Sequence, residues 1–232
     1  MSGSSERQGS LTEKEQSLQE LTGAILAGTV DEAKQRAYAA LAKGNGEREI
    51  LEAIVEAVNI ISDLEELDQY DQAKIASVES SVNSCLQILE EWLTKSEGKF
   101  DVKITVGPVG IRAGALLSLT LSASLRSVGF RSTSLGKTQT ALDLLRNSEE
   151  LDADLVIPIL SGNGDEDLRN FAEAYERGGF KNNFEIIPIA PGASEDSHAS
   201  LTIARNSGEA ISKATQWALK KARTRHNRDS AA

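Results

Sequence analysis

The stretch Lys103–Gly136 constrains the fold of this chain more than any other part of the sequence. An apolar run around Ile104 predicts a buried strand, and a glycine-rich turn follows it. Leucines at a near-helical spacing then predict a helix that ends at Gly129, and Phe130–Leu135 predicts a second strand. A strand, a turn, a helix and a strand within about 30 residues form a βαβ unit, so the two strands are expected to run parallel in one sheet.

The glycine turn of this unit is the first candidate site. Its glycines are Gly107, Gly110 and Gly114, and Arg112 stands among them. Ligands of parallel sheets bind at the carboxyl ends of the strands, where helix N-termini offer free N–H groups. One interpretation is a cofactor or anion site with Arg112 as the counter-charge. A tight turn with a solvated arginine explains the same residues.

Composition narrows the class of protein. The formal net charge is −10 and the pI about 4.9, which argues against non-specific nucleic-acid binding by the body of the chain. The single cysteine, Cys85, excludes an internal disulfide and any multi-cysteine metal site. No apolar run approaches the roughly 18 residues of a membrane helix. The polar start, at residues 1–10, lacks the apolar centre of a signal peptide, so a cytoplasmic protein is expected.

The first half of the chain predicts four amphipathic helices with short connections. Two sequence pairs fit capping boxes at the starts of the first two helices, Thr12 with Glu15 and Thr29 with Glu32. The fourth helix carries Cys85 on its inner side, where packing against the bundle explains it. We expect a disordered tail at 1–10, a helical cap domain at 11–95, and a polar linker around 94–99.

The second half alternates predicted strands with predicted helices. Three strands are expected after the βαβ unit, at 154–160, 184–190 and 201–204. A closing helix from 206 to about 222 follows, and a basic tail covers 223–232. Five strands alternating with helices predict a doubly wound, Rossmann-like α/β domain of the flavodoxin type over 101–222.

Two further polar turns are expected at the same edge of the sheet as the glycine turn. They supply four more candidate binding residues, which are Ser161, Asn163, Gly192 and Ser194. Backbone donors from the three turns would then converge on one pocket. Helix capping and ordinary turn chemistry are the alternative explanation of these residues.

The order of these elements resembles the cobalamin-binding corrinoid proteins, the methyl carriers of methyltransferase systems and relatives of the cobalamin module of methionine synthase. The resemblance covers about residues 12–222. The stretch Gly44–Leu93 has the layout of that family's helical cap. Arg126–Phe130, followed by Ser134–Gly136, resembles the end of its first α/β helix and its second strand, and Ala153–Val156 resembles the start of its third strand.

The residues that perform the chemistry of that family are absent from the matching positions of this chain. Its signature is Asp-x-His-x-x-Gly in the first turn, where the histidine ligates cobalt and the aspartate orients the histidine. Counting back from the end of the helix, those positions fall on Arg112, Gly114 and Leu117. The two histidines of the chain, His198 and His226, lie far outside the turn. The resemblance therefore implies a degenerate B12 site without its axial ligand.

Three functions stay open from the sequence. The first is a non-enzymatic regulatory or accessory protein that binds a ligand or a protein partner on a corrinoid-protein scaffold. The second is a cobalamin-binding methyl carrier that holds its cofactor without a histidine. The third is an enzyme that acts on a small anionic substrate at the strand ends. No catalytic constellation is recognisable in the sequence, which does not name the cofactor, the partner or the oligomeric state.

Three features outside the turns have two explanations each. Trp92 either covers a ligand from above or packs between the domains. His198, beside Glu195 and Asp196, is either a metal ligand or part of a solvated loop. The stretch Lys220–Arg228 has five basic residues in nine. These residues either bind an acidic partner or nucleic acid, or they form an ordinary solvated end of the chain.

Overall fold

The computed structural model describes residues 12–66, 71–111, 114–137, 139–160, 164–180, 183–194 and 201–229. The helices within these residues are α1 (Glu13–Ala27), α2 (Val30–Ala42), α3 (Glu47–Glu66), α4 (Gln72–Ser96), α5 (Gly114–Val128), α6 (Ala141–Glu150), α7 (Asp165–Arg177) and α8 (Ser207–Asp229). The strands are β1 (Lys103–Val109), β2 (Arg131–Ser134), β3 (Leu155–Leu160) and β4 (Glu185–Ile186). Within the described ranges no helix is both long and apolar enough to span a bilayer.

Helices α1 to α4 pack around one apolar core, as the spacing of their buried residues predicts. The Thr12 hydroxyl accepts a hydrogen bond from the Glu15 N–H at 3.3 Å, and the Glu15 carboxylate accepts one from the Thr12 N–H at 2.8 Å. The first capping box is therefore confirmed. The second is wrong, because the Thr29 side chain makes no capping bond and the Glu32 carboxylate lies 3.6 Å from the Arg36 guanidinium.

The strands form one parallel sheet in the order β2-β1-β3-β4. In the register of this sheet, Val106 of β1 stands opposite Ser134 on one side and Ile157 on the other. Both central strands are almost entirely buried because helices cover both faces, as a parallel sheet requires. The predicted fold class, a helical bundle with a parallel α/β sheet, is confirmed.

The sheet has four strands where the sequence predicts five. The expected fifth strand, at 201–204, is reduced to a single bridge between Ala204 and Ile189. The expected fourth strand, at 184–190, keeps ladder pairing only as far as Ile186. On the facing strand, Pro158 of β3 has no N–H to donate, although the N–H groups of Ile187 and Ile189 still donate to the carbonyls of Val156 and Pro158 at 3.0 and 2.8 Å. Regular ladder pairing therefore ends at Ile186 while the chain still follows the sheet.

The closing helix is longer than the sequence predicts. It continues beyond the expected end at Ala222 as far as Asp229, so the basic segment begins inside a helix. The buried face of α8 ends at Ala218, whereas Ala222, Arg223 and Thr224 are all exposed. Lys221, on the side that continues the buried face, is half-buried and forms an ion pair with Asp154, so α8 stays on the body of the protein at least to this residue, and the exposed residues lie on its outer side.

Helix α5 joins the two halves of the chain. Leu116 and Ala123 belong to the core of the bundle, against α3 and α4. Leu121 and Leu125 belong to the core between α5, the sheet and α8. Leu117 touches both cores. The domain boundaries near residues 95 and 101 stay a prediction.

One arginine reinforces this contact between α4 and α5. The Arg126 guanidinium donates to both carboxylate oxygens of Glu90, at 2.6 and 3.0 Å, and also to Glu97. Its side chain is only 19% exposed, against 56% for Glu90. Hydrogen bonds from Arg126 are the main cause that lowers the pKa of Glu90 below its ordinary 4.5. A forked, charge-assisted arrangement of this kind is stronger than an isolated surface pair.

We expect Arg126→Met to lower the free energy of unfolding by about 1–3 kcal/mol at neutral pH, because charge-assisted hydrogen bonds are lost while the apolar stem remains. Since the folded pKa of Glu90 is depressed, the stabilisation is complete above its unfolded pKa and is lost as pH falls through the folded one. Urea unfolding should show a difference in free energy between the two proteins that is constant well above pH 4.5, the ordinary pKa of a glutamate, and that shrinks as the pH is lowered below it.

The control is Arg177→Met, which removes an exposed pair with Glu173 on α7. That pair has side chains 81% and 47% exposed, so its loss should change stability by less than about 0.5 kcal/mol. Equal effects of the two substitutions would mean that the Arg126 contacts do not hold the halves together.

Candidate functional site

The glycine turn lies at the carboxyl end of β1, as the sequence predicts. Gly107 is buried in the strand, Gly110 follows it with φ +75°, and Gly114 is the first residue of α5. Arg112, the expected counter-charge, lies outside the described residues. The structure therefore brings the three glycines to one edge of the sheet, and the role of Arg112 stays a prediction.

Two of these glycines are required by packing of the chain against itself. A Cβ added to Gly114 would lie 2.2 Å from the Cβ of Pro108 and 3.3 Å from that of Ile111. A Cβ added to Gly107 would lie 2.6 Å from a methyl group of Leu144. No real Cβ contact is that short, so neither position accepts a side chain without movement. A Cβ added to Gly110, in contrast, would meet no described residue within 4 Å.

The second and third turns meet each other at the same edge. A Cβ added to Gly164 would lie 2.6 Å from the carbonyl oxygen of Gly192. The Ser194 N–H donates to the Asp165 carboxylate at 2.9 Å. Gly192 and Ser194 are exposed, which places them where a ligand above the sheet could reach them. Two other candidates, Ser161 and Asn163, are outside the described residues.

The first turns of α5 pack against the sheet and are hydrogen-bonded to it. The Ser118 hydroxyl donates to the carbonyl of Val106 at 3.0 Å and lies 2.7 Å from the hydroxyl of Ser134. Leu117, one residue earlier, is half-buried between the two cores. The resemblance expects a glycine at this position, where this chain has a leucine.

These contacts decide how a corrinoid could fit. The position that the resemblance gives to the axial histidine is Gly114, where even a methyl group would collide with Pro108. Leu117, at the third position of that pattern, is half-buried and packs against both cores. Neither residue offers a nitrogen to a metal, so these two positions do not fit a corrinoid ligated by a protein histidine.

A cavity of about 530 Å³ lies elsewhere, between the bundle and the α/β half. This volume is within the range of small-molecule sites. Its apolar lining comes from four helices and includes Leu51, Val55, Trp92, Val128 and Ile211. Its polar rim comes mostly from α3, with Arg48, Glu52, Glu56, Asn59 and Asp63. We call this cavity the α3 groove.

The α3 groove is not among the sites predicted from the sequence, although one signal for it is present there. Helix α3 carries apolar residues on more than the single face that the bundle core needs, since Val55 and Ile60 remain half-buried. Trp92 lines the groove and also packs against the bundle core. This agrees with an interface position for Trp92, one of its two expected roles.

The one cysteine of the chain has no nucleophilic role in this arrangement. Cys85 is fully buried in the bundle core, which confirms the packing interpretation. Burial is the main cause that raises the pKa of its thiol to about 11. At neutral pH the thiol is therefore protonated and inaccessible. His198, the other expected reactive residue, lies outside the described residues.

No protein-family model and no curated protein sequence matches the chain. Among solved structures, the monomethylamine corrinoid protein of Methanosarcina barkeri matches with a TM-score of 0.63 and 15% sequence identity, over 87% of this chain and 98% of that one. A cobalamin-binding protein of Desulfitobacterium hafniense matches with a TM-score of 0.44 and 12% identity, over 86% and 98% of the two chains. A chain of the methanol:cobalamin methyltransferase complex of Methanosarcina barkeri gives 0.42 and 12%, over 90% and 86%.

At 15% identity the first of these matches establishes a shared fold and nothing finer. The match nevertheless spans nearly the whole length of both chains, so it includes the helical bundle as well as the sheet. The fold expected from the order of the elements is therefore found in a solved corrinoid protein.

The close contact at Gly114 predicts opposite effects for two glycine-to-alanine substitutions. Gly114→Ala should lower the free energy of unfolding by about 1–3 kcal/mol, because the new methyl group collides with the rigid ring of Pro108. Gly23→Ala, in the middle of α1 with nothing within 4 Å, should raise it by about 0.5–1 kcal/mol through helix propensity. Thermal or urea unfolding measures both, and a neutral Gly114→Ala would show that the turn is not closed.

Proposed function

We propose that this chain is a cobalamin-binding protein of the corrinoid-carrier type that holds its cofactor without a protein histidine. The observation that carries the proposal is the whole-length likeness of fold to a corrinoid protein, in both the helical bundle and the α/β half. Two halves that enclose a ligand between them are needed by a carrier and are not needed by a plain α/β binding domain. The comparisons thus favour the second of the three functions expected from the sequence.

The residues available for this role are those of the strand-end edge. Gly110 has open space on its outer side, and Gly192 and Ser194 are exposed on the neighbouring turn. Their backbone groups can donate to or accept from the amide side chains at the margin of a corrin ring. When bound, a corrinoid supplies a cobalt centre that carries a methyl group. The contribution proposed for this chain is to bind and orient the cofactor.

A non-enzymatic accessory protein that has exchanged cobalamin for a protein partner is the second candidate. It is favoured by one observation, the closure of the β1–α5 turn by Pro108 and Leu117 where that family keeps a groove. Both candidates imply a protein partner, since a carrier has to deliver its group and an accessory protein has to bind its target. An enzyme with Arg112 as the anion-binding residue gains no support from the described part of the chain.

The first test is retention of a corrinoid. Pure protein is mixed with hydroxocobalamin or adenosylcobalamin and desalted, and the visible absorption spectrum is recorded. The proposal expects a corrinoid band that stays with the protein and a spectrum typical of a nitrogen base from the cofactor itself. A colourless protein after desalting contradicts carriage and leaves the accessory role.

A pair of variants locates the bound cofactor. Gly110→Trp places a large side chain at the carboxyl edge of the sheet, whereas Gly179→Trp places one at the opposite edge, after α7. Both glycines have open space and a similar φ, +75° and +76°, so backbone strain is matched. Retention should fall at least about tenfold in the first variant and stay unchanged in the second. Equal loss in both would place the cofactor elsewhere.

A further inference from the structure

The α3 groove has an acidic rim that its own neighbourhood does not neutralise. Arg48 forms an ion pair with Glu52 at 3.0 Å, which uses the one basic residue that lines the groove. Glu56 and Asp63 are exposed and have no ion-pair partner among the described residues. Two carboxylates thus face the groove above a floor formed by Trp92 and aliphatic side chains. This surface is complementary to a partner whose side chains combine a positive charge with a long aliphatic part, as lysine and arginine do.

A segment with that chemistry lies at the other end of the same chain. The exposed end of α8 begins at about Lys220 and carries Arg223, and neither side chain is in an ion pair within the described part of the structure. Arg225 and Arg228 follow in the sequence. Lysine and arginine side chains cover apolar surface with their stems, and guanidinium groups stack on tryptophan rings. The charges and stems of this segment therefore match the rim and floor of the α3 groove.

This helix end cannot reach the groove of its own molecule. Gly208 and Ile211, in the first turns of α8, line the α3 groove. Arg223 lies twelve residues beyond Ile211 on one straight helix, which is roughly 18 Å away. The basic end thus points away from the groove at which the helix begins. A second copy of the chain is needed to bring the two together.

We propose that two copies of this chain associate through antiparallel α8 helices, so that the basic end of each α8 lies over the α3 groove of the other. A two-fold axis near Gln216 places Gly208 of one copy opposite Thr224 of the partner. The stripe that would face the axis is exposed and consists of Gly208, Ser212, Gln216 and Leu219, of which Leu219 is 49% exposed. In this two-fold arrangement each α3 groove binds one basic helix end, so neither copy keeps a free groove or a free basic end. The assembly is therefore closed and does not grow beyond a dimer.

Charge makes this association dependent on salt. Each chain has a net charge of −10, so two bodies repel each other and the pairing depends on local attraction between the helix end and the groove. Salt screens interactions between exposed charges over about 3 Å at 1 M and 10 Å at 0.1 M. The dimer is therefore expected at low ionic strength and its dissociation at high ionic strength.

The test is sedimentation velocity of the full chain over a range of concentrations, at about 50 mM and about 1 M salt. The proposal expects a dimer in low salt whose dissociation constant rises at least about tenfold in high salt. It expects a similar rise at low salt for Glu56→Gln with Asp63→Asn. Glu150→Gln with Glu176→Gln changes the net charge equally at exposed positions on α6 and α7, and it should leave the dimer intact. A monomer in low salt, or equal effects of the two pairs of substitutions, overturns the proposal.

A charge exchange provides a second test that folding defects cannot imitate. Lys220→Glu, Arg223→Glu, Arg225→Glu and Arg228→Glu together give an acidic helix end, because Lys221 is already paired with Asp154. Glu56→Lys with Asp63→Lys gives a basic groove. Each variant alone should remain monomeric, because its groove and its helix end carry the same sign of charge. An equimolar mixture should form a heterodimer, since both contacts are then of opposite sign. Failure of the mixture to associate, with both variants folded by circular dichroism, also overturns the proposal.

Discussion

The structure depends on helix α5 being buried on two opposite sides. A helix of a two-layer domain normally has one apolar face and one solvated face. Here Leu116 and Ala123 face the bundle while Leu121 and Leu125 face the sheet, so α5 is buried nearly all round. The bundle and the sheet therefore cannot move apart without exposing one face of α5. Arg126, at the end of the helix, adds a forked ion pair to this contact.

Much of the fold could be predicted from the sequence, because the signals are local. Glycines that end helices, residues that cap them and the spacing of apolar residues predict most helices and strands close to the positions at which the structure has them. The wrong predictions have two kinds of cause, which are contacts between residues far apart in the sequence and side chains that bond to a different partner from the one expected. Pro158 of β3 has no N–H to complete the ladder with the predicted fourth strand, and the Glu32 carboxylate lies 3.6 Å from the Arg36 guanidinium, where a capping box at Thr29 would need it. The α3 groove joins residues more than 100 positions apart, such as Val55 and Ile211, so the extra apolar residues of α3 are a local signal that does not indicate which helices complete the groove.

The glycine turn shows why a candidate site is harder to predict than a fold. Glycine is needed wherever a backbone is closely approached, and spacing does not say whether the approaching group is a ligand or the chain itself. At Gly107 and Gly114 the approaching groups are Leu144 and Pro108. No described residue comes within 4 Å of a Cβ built on Gly110, so among these three glycines Gly110 is the one at which the described part of the chain leaves room for a ligand. The sequence located the turn correctly and could not separate these two uses of glycine.

The fold and the ligand chemistry of a protein depend on different residues. The likeness to a solved corrinoid protein is carried by dozens of buried apolar residues and element lengths, which tolerate 15% identity. Ligation of a metal depends on single side chains at single positions. A change at one such position can therefore alter the chemistry of a site while the many buried residues still specify the same scaffold. For this reason a shared fold at 15% identity leaves the ligand open, and the corrinoid carriage proposed above has to be tested by binding.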